Sequence, residues 1–103
     1  MSLIEISKEY FKTFSNKDLY GLEEMFSKDI RLKDWDIEAR GLEDVLKANK
    51  NIFENVETIQ VNPLEIYNDV NTVVAELEID INNGQESLLV IDVIEFDNEN
   101  KIL

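Results

Sequence analysis

Residues 72–96 read TVVAELEIDINNGQESLLVIDVIEF, and this stretch decides the fold. Val73, Ala75, Leu77, Ile79 and Ile81 alternate with Val74, Glu76, Glu78 and Asp80. That period of two belongs to a half-buried strand with an acidic outer face. Asn82-Asn83-Gly84 supplies residues that tolerate a positive φ, which a tight hairpin needs. Residues 87–96 return as the next strand. Upstream, residues 57–67 read as a further strand, with Pro63 at a bulge or a sheet edge because it has no N–H to donate. Asn68-Asp69 and Asn71 turn the chain between them, residues 97–100 turn it again, and Lys101-Ile102-Leu103 opens one more strand. The carboxyl half is therefore an antiparallel meander.

The amino half has a helical period. Leu3, Ile6, Tyr10, Phe11 and Phe14 form one apolar stripe, broken by Ser15, Asn16 and Asp18, which can cap the next helix. Leu19, Leu22 and Phe26 form a short second stripe. From Asp29 the period shifts to two, with Ile30, Leu32 and Asp34 on one face and Arg31, Lys33 and Trp35 on the other. Gly41 opens a third helix, whose stripe is Leu42, Val45, Leu46, Asn49, Ile52 and Phe53. The order helix, helix, strand, helix, meander predicts an α+β domain with helices on one sheet face.

Composition narrows the chemistry. Ten basic and 23 acidic residues in 103 give a net charge of −13. Residues 57–103 carry eleven acids and one base, Lys101. Such a surface repels nucleic acid and anionic membranes. Without Cys or His, thiol nucleophiles, disulfides, imidazole catalysis and the usual zinc ligands are absent. No metal site and no cofactor is expected, since there is no Gly-rich phosphate loop and the row Glu76, Glu78, Asp80 does not converge on one point. Residues 1–14 are interrupted by Glu5, Lys8, Glu9 and Lys12 and have no signal-peptide core, so a cytoplasmic protein is the expectation.

Two carboxylates break the alternation. Asp92 shares a face with Val90, Ile94 and Phe96, while Leu89, Ile91 and Val93 make the opposite face apolar as well. A strand apolar on both faces is expected to be covered on both sides or central in its sheet. Asp34 shares the face of Ile30 and Leu32, and Tyr10 lies on the apolar stripe of the first helix. A carboxyl in apolar surroundings raises its pKa and becomes neutral. Neutral Asp and Tyr are both donors, and two donors aimed at one point form an oxyanion hole. A third, ionised carboxylate can act as a base. The plain alternatives are structural. An inward Asp can bind a backbone N–H or a cation, a buried Tyr needs one partner for its hydroxyl, and Trp35 can be a packing residue at a strand end.

The order of elements resembles the nuclear transport factor 2-like (cystatin-like) superfamily, which includes ketosteroid isomerases and SnoaL-like cyclases. The resemblance rests on Tyr10-Phe11 followed by Asn16-Lys17-Asp18-Leu19 and Leu22, on Met25-Phe26-Ser27-Lys28-Asp29, on Gly41, on residues 91–97 (IDVIEFD) and on Lys101-Ile102. It implies one domain over residues 1–103, with a curved, cone-shaped, mostly antiparallel sheet, three helices on one face, and a final strand that is short or truncated. In ketosteroid isomerases the catalytic Asp lies eight residues after the Phe closing the second helix, which corresponds to Asp34. The oxyanion donors correspond to Tyr10 and Asp92. The resemblance further implies a pocket lined by Phe14, Trp35, Asn49, Phe53, Val90 and Ile94. Its occupant would be a small apolar molecule with a carbonyl or phenol, and Asp34 would abstract a proton alpha to that carbonyl. Departures are Trp35 where Pro commonly follows the catalytic Asp, and a chain ending at Leu103. The rival reading is a non-catalytic binding or dimerisation module. Pairing of two copies through the outer sheet face stays open, opposed by the acidic row.

Overall fold

The computed structural model describes residues 1–34 and 36–103. Among them are three α-helices and five strands: α1 (Leu3–Ser15), α2 (Leu19–Met25), β1 (Arg31–Lys33), β2 (Glu38–Arg40), α3 (Leu42–Asn55), β3 (Ile59–Asp69), β4 (Thr72–Ile81) and β5 (Glu86–Glu95). This is the expected α+β architecture. The meander forms an antiparallel sheet ordered β3-β4-β5, and β1 pairs with β2 in a separate two-stranded ribbon.

The first two helices begin where a side chain takes up orphan N–H groups. Ser2 Oγ accepts from the Glu5 N–H at 3.1 Å, and Glu5 reaches back to the Ser2 N–H, a reciprocal cap at the start of α1. Asp18 Oδ1 accepts from the Gly21 N–H at 3.0 Å and starts α2. Between them, Asp18 N–H donates to Thr13 O and Lys17 N–H to Phe14 O, with Lys17 left-handed at φ 55°. That pairing ends α1 in a Schellman motif. Gly41, at φ 88°, starts α3 in a conformation that side chains disfavour.

The sheet realises the two-residue period. In the register Val73↔Ile94, Ala75↔Asp92 and Leu77↔Val90, Val73, Ala75, Leu77 and Ile94 are buried beneath the helices. Phe11, Leu22, Phe26, Val45, Phe53 and Phe96 complete the same core. The register of β3 against β4 shifts between Pro63 and Glu65, so Pro63 sits both at a bulge and on an edge strand. Asn82, Asn83 and Gly84 all have positive φ in the β4–β5 hairpin.

Three expectations need correction. First, β5 is the outer strand of the three-stranded sheet rather than a central or doubly covered one. Leu89, Ile91 and Val93 are 77%, 61% and 64% exposed, because the helices cover only the opposite face. Second, β2 was not expected. It returns antiparallel along β1 with Leu32 opposite Ala39. Third, Asp34 is exposed rather than set in apolar surroundings, although its charge acts on Asp92. β1 ends at Lys33, and the Asp34 N–H donates to Ile37 O at 2.8 Å as the chain bends, leaving Asp34 exposed.

The segment after β5 closes the core. Asp97 Oδ1 accepts from the Glu99 and Lys101 N–H groups and fixes the turn. Ile102 then bridges Phe26 in parallel and Phe96 in antiparallel fashion. Ser27 N–H donates to Ile102 O, and Ile102 N–H to Met25 O.

Candidate functional site

Tyr10 projects from α1 into an aromatic cluster. Its ring centroid lies 5.5 Å from Phe11, 6.0 Å from Phe26 and 6.3 Å from Phe14. Phe14 in turn meets Phe53 of α3 edge-on at 4.9 Å. The helical spacing of Tyr10 and Phe14 points both rings at the space where α1, α2 and α3 converge. Burial pushes the Tyr10 phenol well above its ordinary pKa, and the charge of Asp92 pushes it further. The hydroxyl therefore keeps its proton.

Asp92 comes from β5 on the inner face, between Val90 and Ile94 and opposite Ala75. Ala75 is small and fully buried, so the inner face of the sheet is covered at this pair. Burial raises the Asp92 pKa, and the neighbouring charge of Asp34 raises it again. Both influences favour the neutral, donating form of the carboxyl. The charge of Asp92 thus acts on Tyr10 and that of Asp34 on Asp92, although the three come from α1, β5 and the bend after β1.

The remaining predicted lining residues divide. Ile94 and Phe53 are core residues, and Phe14 and Val90 are half-buried beside that core. Asn49 is 4% exposed on α3, with its Nδ2 donating to Val45 O at 3.1 Å. This bond is local to the helix, so Asn49 is at least in part a self-satisfied buried amide. Trp35 lies outside the described residues.

Sequence reading missed two features near this cluster. Phe26 is a direct ring neighbour of Tyr10, yet it reads only as a stripe residue. Ser7 is fully buried, and its Oγ has no hydrogen-bond partner among the described residues. Its position three residues before Tyr10 and four before Phe11 was the available signal, since a polar residue there interrupts the inward stripe.

Two clefts lie elsewhere. One of about 400 Å³ runs between α1 and β3, beside Lys8 and Lys12. Another of about 580 Å³ lies between β2 and α3, where Glu38, Arg40, Asp44 and Lys47 alternate in sign. Tyr10, Asp34 and Asp92 line neither. Among the described residues no group of three or more carboxylates could hold a metal ion, and no helix is long and apolar enough to cross a membrane.

Comparison with known proteins places this frame. No curated protein matches the chain. Among solved structures, an uncharacterised cystatin-fold protein from Novosphingobium aromaticivorans superposes with a TM-score of 0.85 at 14% identity, covering 99% of this chain and 93% of that one. An NTF2-like protein of unknown function from Burkholderia pseudomallei gives 0.82 at 18% identity, with coverage of 99% and 86%. An LEH-like epoxide hydrolase of M. tuberculosis gives 0.82 at 17% identity, covering 97% and 76%. At such identities these likenesses speak for the fold alone. The family model described as a SnoaL-like domain matches residues 7–103, and on that match the chain belongs to the SnoaL-like domain family.

Proposed function

We propose that the interior between α1, β5 and the bend after β1 binds a small, largely apolar molecule carrying a carbonyl or phenol oxygen. The observation that carries this reading is the placement of Tyr10 in the inward aromatic cluster and of Asp92 on the inner face of β5, where burial favours the protonated form of both. Two protonated donors that resist ionisation suit an oxygen on which negative charge develops. Asp34 is the carboxylate that water reaches, and in an isomerase-like step it takes the proton alpha to the carbonyl. Tyr10 and Asp92 then hold the enolate oxygen. The aromatic wall of Phe14, Phe26 and Phe53 supplies the apolar surface.

The exposure of Asp34 favours a second reading, binding without turnover, because a base at a solvent-facing bend gains little from exclusion of water. Titration with substituted naphthols, followed by ultraviolet absorbance, separates the possibilities. Binding that weakens in Tyr10→Phe and in Asp92→Ala supports the donor pair, and no binding by the folded protein overturns it. If naphthols bind, turnover of unconjugated enones that is lost in Asp34→Asn supports catalysis. Turnover unchanged in that variant removes Asp34 as the base.

A further inference from the structure

The cleft between α1 and β3 is chemically unlike the rest of the molecule. The chain carries 23 acids, yet none lines this cleft, while two of its ten bases do. Lys8 and Lys12 are one helical turn apart and both exposed. Like charges at that spacing weaken a helix slightly unless something bridges them. Glu5 attracts Lys8, but its carboxylate is already engaged by Ser2 in the cap of α1. No salt bridge involves Lys12 among the described residues.

The opposite wall is unusual as well. β3 is an edge strand, and its exposed ladder would normally offer N–H groups. Here the Val61 N–H donates to Ser15 Oγ at 2.9 Å, and Pro63 has none to offer. The Asn62 Nδ2 donates to Asp80. The side-chain donors that face the cleft are therefore the two ammonium groups and the amides of Asn16, Gln60 and Asn62, set against the exposed ring of Pro63 with buried Phe11 and Val61 at the floor. At 100° per residue, Lys8, Lys12 and Ser15 share one flank of α1, while Tyr10 lies almost opposite. The cleft is thus separate from the Tyr10–Asp92 cluster.

We propose that this cleft is a binding site for a small organic carboxylate, with the carboxylate between Lys8 and Lys12 and its apolar body against Pro63. A volume of about 400 Å³ accommodates a molecule of the size of an aromatic acid. The anion relieves the repulsion of the lysine pair, and the apolar wall selects an organic acid over a mineral one.

The test uses the full chain, isotopically labelled, with benzoate as the probe and benzamide and inorganic phosphate as controls. Benzoate is expected to shift backbone amide signals of residues 8–16 and 60–62 to saturation and to spare those around Asp92. Benzamide and phosphate are expected to bind roughly tenfold more weakly or worse, since each lacks one half of the recognition. The double variant Lys8→Gln with Lys12→Gln, both at exposed positions, is expected to lose benzoate binding by a similar factor and to keep its naphthol response. Absence of saturable shifts overturns the proposal. So does equal binding of benzamide or phosphate, an undiminished response in the double variant, or shifts centred on β5.

Discussion

Lys17 offsets its own strained backbone. A side chain in the left-handed region costs about 1–2 kcal/mol, and Lys17 holds φ 55° where α1 ends. Its Nζ donates to the carbonyls of Phe53 at 3.0 Å, Val56 at 2.7 Å and Glu57 at 3.0 Å, capping the end of α3. A cation there also meets the negative end of the helix. Lys17→Met keeps the stem but removes all three bonds. It should destabilise the protein by about 1.5–3 kcal/mol in urea unfolding. Asp92 makes the opposite kind of contribution. Its folded pKa is raised, so between the ordinary carboxylate value and the folded value the native state binds the proton more readily than the unfolded chain. The stability it contributes is present below the ordinary value and is lost as pH rises through the folded one. Asp92→Asn escapes that loss. The variant should therefore be more stable than the parent at neutral pH, and its advantage should shrink toward about pH 4, as paired urea titrations would show.

At the scale of elements, β5 separates two meanings of an apolar residue. Ile91 and Ile94 are chemically identical and three positions apart, yet Ile91 is 61% and Ile94 5% exposed. Ile91→Thr, which keeps β-branching, should change stability by no more than about 0.5 kcal/mol. Ile94→Ala should cost about 2–5 kcal/mol. Thermal unfolding of the two variants would check the contrast, and equal losses would mean that the outer face is covered after all. The same strand shows what was legible in advance. Alternation identifies which side chains are apolar, and it placed Val90, Asp92 and Ile94 on one face. It carries no information on what lies against the other face, so a bare edge strand looked like a central one. The stripes of α1 and α3, the Asn-Asn-Gly hairpin and the Pro63 irregularity were legible because each has its own local chemistry. β2 was not, since Glu38-Ala39-Arg40 contains a single apolar residue and forms only because β1 offers it a ladder. The exposure of Asp34 was not legible, because the alternation does not extend past a three-residue strand. The inward positions of Tyr10 and Asp92 were legible because polar groups inside apolar periodicities are rare enough to stand out.

Across the whole molecule, charge and connectivity work on different terms. Of the ten bases, Lys17 and Lys101 are used on the carbonyl ends of helices rather than on carboxylates. The acidic row of β4 lies beside the uncovered stripe of β5, so self-repulsion sits next to the most adhesive surface. The core itself is closed by Ile102, 6% exposed between Phe26 and Phe96. Ile102→Ala should cost about 2–5 kcal/mol, measurable as a lower urea midpoint with an unchanged slope if the transition stays two-state.

Lys101 reaches Glu24 O at 2.6 Å, a partner 77 residues earlier. A growing polypeptide makes the two sides of that contact far apart in the course of its synthesis. At about five to twenty residues per second, α2 waits several seconds at the ribosome before residues 101 and 102 arrive to cover it. Until then Phe26 and Phe96 have an unfilled place between them. Folding of this domain therefore cannot be completed before residues 101 and 102 have left the exit tunnel, however early its helices form.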